Sequence, residues 1–341
     1  MKKHKQTNSP YFWNTASEFI NHYLPDIRRS SNNTTESYRN SLNHYIGYLE
    51  IERNIVRKNI SFIHFSREYI KGYISWMNKT KGLAPKTCNL RLTAIHSLME
   101  YASSETTDLM ALYLESCSIK GMKTPQKAIE FFEKSAMIAL MNAPDITKKT
   151  ERRNQMMLIF LYDTAARMSE MLNTKVCDLH LEADISYVTL LGKGKKYRNI
   201  PLMDKSKEHL KRYLLEFHKE NITNVPLFYV ITHGERHKLS ADTIEKMLKR
   251  YSAKCSSSGI TMPTHVHCHM IRKTRAMDLY QNGIPLTHIQ QLLGHEDLST
   301  TSGFYAFATL ATLAESLEKA NPTVDSKKWK DKKIMDKIYK L

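Results

Sequence analysis

Cysteine is scarce in this chain. Cys88, Cys117, Cys177, Cys255 and Cys268 are odd in number and form no Cys-x-x-Cys pair. That excludes a disulfide scaffold and reads as reduced thiols in a cytosolic setting. Glycine (11) and proline (10) are too few for collagen-like order, and 41% hydrophobic residues are too many for disorder throughout. No run approaches the roughly eighteen apolar residues that a transmembrane helix needs. The basic start, Met-Lys-Lys-His-Lys, leads into polar Gln6–Pro10 where a signal peptide would continue apolar. Acidic residues are also short: 34 against 51 Lys and Arg, for a net charge of +17. Such an excess repels itself on folding and is expected to meet a polyanion, nucleic acid before an acidic membrane surface. The 341 residues suit two domains better than one core.

What is present is mostly helical periodicity. Phe12, Ala16, Phe19, Ile20 and Tyr23 recur at helical spacing until Pro25, which is expected to interrupt the run. Ser30–Thr34 offers several N-caps for a helix striped by Tyr38, Leu42, Tyr45, Ile46 and Leu49. Ser66 can cap a third helix, and Gly82-Leu83-Ala84-Pro85 ends it and opens a fourth. A short last helix is expected over roughly 106–117. After an N-terminal extension (1–10), residues 11–118 therefore read as an all-helical domain. Residues 119–128 carry Lys120, Lys123 and Lys127 and no acid before Glu130, a basic linker suited to a phosphate backbone.

A second, mostly helical domain spans 129–320, with one exception at 184–202. There Ile185–Leu191 and Tyr197–Leu202 read as a hairpin around Gly192-Lys193-Gly194-Lys195-Lys196. In the tail, 321–341, Trp329, Ile334, Met335 and Ile338 are spaced like a short amphipathic helix. The fold class is mainly α, a helical domain followed by a mixed α/β domain with a small sheet.

Few residues look chemical one at a time. Arg167 and Glu170, three apart, are expected on one helix face, where a plain surface ion pair would explain them. His269 and Arg272 repeat that spacing on a helix running to about Tyr280. Their neighbours His265, His267 and Cys268 raise a zinc site, but Pro263-Thr264 suggests a helix start amid them and no carboxylate joins. Gly294 resembles a helix C′ residue, with His295 in the loop beyond. Lys193, Lys195, Lys196 and Arg198 can be read as a solvated basic turn that touches phosphates.

Together they describe one solution to phosphodiester cleavage. Paired guanidiniums match the equatorial oxygens of a phosphoryl transition state. A tyrosine can attack phosphorus, a lysine can protonate the leaving oxygen and a histidine can take the tyrosine proton. Along the chain the order is Arg167, Lys193, His269-Met270-Ile271-Arg272, Leu292-Leu293-Gly294-His295 and Tyr305.

This order resembles the tyrosine recombinase (phage integrase) family, including Xer-type and transposon recombinases, over most of the chain. Thr164-Ala165-Ala166-Arg167-Met168-Ser169-Glu170 is similar to its first arginine box, with Ala where Gly and Leu are usual. Gly192–Leu202 resembles its lysine hairpin, and Leu83-Ala84-Pro85-Lys86-Thr87 its SAM-like core-binding domain. The resemblance implies Arg167, Lys193, His269, Arg272, His295 and Tyr305 as the catalytic set, with Glu170 in support. Lys86, Arg91, Lys120, Lys123, Lys127, Lys195, Lys196 and Arg198 are the expected DNA contacts. It further implies site-specific recombination through a 3′-phosphotyrosine, for integration, excision, transposition or resolution, with neither metal nor other cofactor. The expected partners are double-stranded recombination sites and three further copies of the chain, in a cytoplasmic, nucleoid-associated complex. The tail is expected to pass between protomers. A type IB topoisomerase-like nicking and closing enzyme and a silent DNA-binding protein are the rival readings.

Overall fold

A computed structural model of the chain describes residues 7–125, 130–192, 194, 196–220 and 222–294. It divides into two compact units, Met1–Lys127 and Ala128–Leu341.

In the first unit α1 (Ser9–Glu18) starts where Asn8 Oδ1 accepts the Tyr11 N–H at 3.1 Å. Pro25 does not end this helix. The chain winds wider over Phe19–Ile27, and the Arg28 N–H reaches back five residues to the Tyr23 carbonyl (2.8 Å). The shifted register absorbs the donor that proline lacks. Ser31 then caps α2 (Asn32–Glu52), and α3 (Arg67–Ser75), α4 (Pro85–Glu105) and α5 (Met110–Cys117) follow. Pro85 opens α4 in its first turn, where a missing N–H costs nothing. The core is strongly aromatic: Phe12, Phe19, Tyr45, Phe62, Phe65 and Tyr73 are all essentially inaccessible. Tyr45 keeps its hydroxyl satisfied by donating to the His64 carbonyl. Among the described residues this unit has no strand.

The second unit opens with α6 (Lys134–Asn142), α7 (Lys149–Thr164) and α8 (Met168–Asn173). An antiparallel sheet follows in the order β1 (Leu179–His180), β2 (Tyr187–Leu191), β3 (Tyr197–Pro201). Val188 and Leu190 of β2 face the core opposite Ile200 and Arg198 of β3. The unit continues through α9 (Asp204–Phe217), α10 (Ala241–Ser257), α11 (Cys268–Gln281) and α12 (Leu286–Leu293).

Between α9 and α10 lies a second hairpin that periodicity does not announce, β4 (Tyr229–Thr232) with β5 (Glu235–Lys238). His233 and Gly234 both take positive φ (52° and 82°), the tight turn that suits strand twist. Its second strand, Glu-Arg-His-Lys, carries no apolar residue and so shows no alternation. The start of α11 also differs from expectation. His267 is its extended N-cap, and Pro263-Thr264 lies before the helix.

Candidate active site

Arginines from the start of α8, from β3 and from α11 converge on one buried carboxylate. Helix α7 stops at Ala165, which adopts the left-handed conformation (φ 49°, ψ 29°). The first arginine box carries Ala at this position, and the backbone still takes the turn glycine would favour. The turn sets Arg167 in extended backbone as the N-cap of α8. Arg167 and Glu170 therefore do not share a helix face. Glu170 sits in the first turn of α8 and folds back, its Oε2 accepting the Arg167 N–H at 2.7 Å.

Glu170 is only 3% exposed. Its Oε1 accepts Arg167 Nη1 at 2.7 Å and Arg198 Nη1 at 2.8 Å, and its Oε2 accepts Arg198 Nη2 at 2.7 Å. Arg272 Nη1 lies 4.0 Å from Oε2. Burial pulls the Glu170 pKa up. The Arg198 hydrogen bonds and charge, with the Arg167 amide and guanidinium, outweigh it and hold the carboxyl down at about 2. One anion among three arginines leaves a concentrated positive centre.

The same arginines meet the end of α12. A helix leaves its last carbonyls without intrahelical partners. Here Arg198 Nε donates to Leu292 O (3.1 Å), Arg272 Nη2 to Leu293 O, and Arg167 Nη2 to Gly294 O (3.4 Å). Gly294 closes the helix in the left-handed region (φ 60°). Arg272 also donates Nη1 to Ala165 O at 2.7 Å, so it ties the ends of α7 and α12 together. Arg272 is nearly inaccessible, whereas the Arg167 side chain stays 30% exposed.

His269 stands one turn before Arg272 on α11 and keeps an exposed edge. Desolvation of its inner side, then the charges of Arg272, Lys273, His267 and Arg167, push its pKa down to about 4. It is neutral at pH 7 and can accept a proton. The adjacent Cys268 thiol is pushed well up by burial and by Glu245, so it is no nucleophile. His267 Nδ1 contacts the His265 carbonyl, and no metal-holding group of three His, Cys, Asp or Glu occurs among the described residues.

The structure thus brings Arg167, Glu170, His269 and Arg272 together. Lys127, Lys193, Lys195, His295 and Tyr305, with the tail 321–341, lie outside the described residues. Lys86, Lys120, Lys123 and Lys196 are exposed and Arg91 is half-buried. Arg91 lines a groove of about 410 Å³ with Asn33, Glu36, Asn40, Thr87 and Leu90. Arg198 departs from its expected part as a phosphate contact. Its side chain is 13% exposed, and its fork is bidentate on Glu170. The signal was period-two alternation: Arg198 stands two residues before buried Ile200, on the inward face of β3.

Known proteins share this sequence pattern and this fold. A model described as the phage integrase family matches residues 130–310, and one described as the phage integrase SAM-like domain matches 15–110. Tyrosine recombinase XerD of Oceanobacillus iheyensis is 30% identical over 313 residues, covering 90% of this chain and 98% of that protein. XerD of Staphylococcus epidermidis is 30% identical over 293 residues, covering 84% and 92%. The fold is that of XerH site-specific recombinase bound to palindromic difH substrate (TM-score 0.66, 19% identity, covering 91% of this chain and 84% of that one). It is also that of the Tn1549 transposon integrase in complex with a circular intermediate DNA (TM-score 0.66, 14% identity, covering 92% and 100%).

Proposed function

The chain belongs to the phage integrase family of tyrosine recombinases, and from that premise we propose how it cuts and rejoins DNA at specific sites. The observation that carries the reading is the arginine cluster on Glu170 beside a histidine kept neutral. The Tyr305 hydroxyl attacks the scissile phosphorus while His269 accepts its proton. The Tyr305 O–P bond forms, the P–O5′ bond breaks, and Lys193 supplies the proton that leaves with the 5′-hydroxyl. Arg167 and Arg272 face the charge that gathers on the non-bridging oxygens, with His295 as a further donor. A 5′-hydroxyl from a partner strand then attacks the phosphotyrosine and returns the tyrosine. The linkage conserves the phosphodiester energy, so resealing needs no nucleotide.

The exposed lysines Lys86, Lys120, Lys123 and Lys196, with Lys127 and Lys195, are assigned to phosphates, which position the duplex without reading it. Arg91 belongs to the groove of the first unit. Four copies on two DNA sites are the assembly we assign, with tails exchanged, in a transposon-type or simple-site system at the nucleoid. A nicked suicide duplex tests the chemistry. It carries the sequence that the wild-type chain selects from random DNA. The wild type is expected to leave a covalent protein–DNA band on a denaturing gel, and Tyr305→Phe to bind the same duplex without one. A band persisting in Tyr305→Phe would move the nucleophile elsewhere.

A further inference from the structure

Arg198 has no part in the chemistry just described, yet all three of its guanidinium nitrogens donate to fixed partners. It reaches in from β3, grips both oxygens of Glu170 at 2.7 and 2.8 Å, and donates Nε to Leu292 O at 3.1 Å. Two glycines make room for it. A Cβ on Gly192 would lie 3.2 Å from Arg198 Nη1, and one on Gly294 would lie 3.1 Å from Arg198 Cδ. Gly192 opens the lysine turn, closed by its own N–H to Lys196 O at 2.8 Å, and Gly294 immediately precedes His295.

From these contacts we propose that Arg198 is a positioning residue of the recombinase, a guanidinium fork that fixes the lysine hairpin, Glu170 and the end of α12 in one arrangement. The inference rests on the recombinase reading above. Its physical content is competition for Glu170. With Arg198 in place, Arg272 stays 4.0 Å from Oε2 and is held instead by Ala165 O and Leu293 O. Without it, a buried carboxylate loses two charge-assisted hydrogen bonds, and Arg272, 4.0 Å from Oε2, is the next guanidinium beyond Arg167 that can move in to replace them. Closing that gap would draw Arg272 away from the phosphate and free the hairpin from α12. Lysine keeps the charge but cannot bridge two carboxylate oxygens and a carbonyl at once.

The test is single-turnover cleavage of the selected suicide duplex at saturating protein, alongside duplex affinity over a range of salt. In Arg198→Ala the rate constant is expected to fall about a hundredfold, the size of effect that a displacement of about 1 Å produces. Arg198→Lys should fall between, and Arg198→Ala with Glu170→Ala should be no slower than the slower single variant. The burst amplitude, Kd and salt slope should stay at wild-type values. A normal rate constant with reduced amplitude would make Arg198 a purely structural residue and overturn the proposal. A salt slope reduced by about one, with an unchanged rate constant, would make it a phosphate contact and overturn it too. Arg198→Lys gives the same readouts should Arg198→Ala not fold. Absence of a covalent adduct in the wild type would remove the recombinase reading itself, and this inference with it.

Discussion

Replacing Glu170 by Gln keeps the shape of the side chain and removes its charge. Four donors now converge on the carboxylate, the Arg167 amide, Arg167 Nη1 and both Arg198 Nη atoms, at 2.7–2.8 Å. Each oxygen accepts two of them, so an amide would aim its NH₂ at two donors and leave three guanidiniums uncompensated. Breaking a buried ion pair by removing one partner costs about 3–5 kcal/mol. For a unit of this size each kcal/mol shifts Tm by roughly 2–4 °C, so the variant should melt about 10 °C lower. The pH dependence sharpens the test. The folded Glu170 carboxyl is held down at about 2, below its ordinary value. Its contribution is therefore complete above the unfolded pKa of about 4.3 and lost as pH falls toward 2. The gap between wild type and Glu170→Gln should be widest above about pH 5 and close on acidification. Thermal melts by circular dichroism at several pH values measure it. A gap under about 2 °C at pH 7, or one that does not narrow in acid, would refute the place given to Glu170 at the centre of the cluster.

The depressed pKa of His269, about 4, sets an acid limb for cleavage. The rate should hold from pH 8 to about 5 and fall only as pH drops through about 4, whereas a midpoint near 6.5 would contradict the desolvated, cation-flanked imidazole. His44 is lowered to about 4 as well, by burial and then by Arg91 and Lys81. Both histidines bind protons more readily unfolded, so stability should decline as pH falls from about 6.5 toward 4, followed by urea titration. Gly294→Ala places a Cβ in the left-handed region and 3.1 Å from Arg198 Cδ. It should cost about 1–2 kcal/mol in urea denaturation and slow cleavage, and a neutral result would remove the crowding argument. Replacing Lys120, Lys123 and Lys127 by Ala should flatten the log–log salt dependence of duplex affinity by up to about three and weaken all sequences alike. A loss of preference for one sequence would mean that the linker reads bases.

Much of this was legible in the order of residues. Helices of the first unit follow from apolar residues at helical spacing, and the first hairpin from β-branched and aromatic runs around Gly192 and Gly194. Gly294 could be recognised as the residue that ends α12 because only the left-handed region lets a helix stop so abruptly. The parts that were not legible depend on contacts distant in sequence. Pro25 is tolerated because the helix widens around it, and the polar strand β5 earns its place by backbone pairing with β4. Arg167 and Glu170 meet through a helix cap, so their spacing of three suggested the right partner for the wrong geometric reason. Arg198 looked like one more cation in a basic turn. Its partners, Glu170 and Leu292, lie 28 and 94 residues away, and the alternation of β3 says only that it points inward, not what it meets.

The central claim is that this chain breaks DNA by attaching Tyr305 to a 3′-phosphate. The most direct measurement is mass spectrometry of the covalent adduct after protease and nuclease digestion, with each DNA end labelled separately. The expected product is a nucleotide on the peptide containing Tyr305, joined through the 3′-phosphate, with a free 5′-hydroxyl on the released strand. A nucleotide on any other residue, or a linkage to the 5′ end, would contradict it.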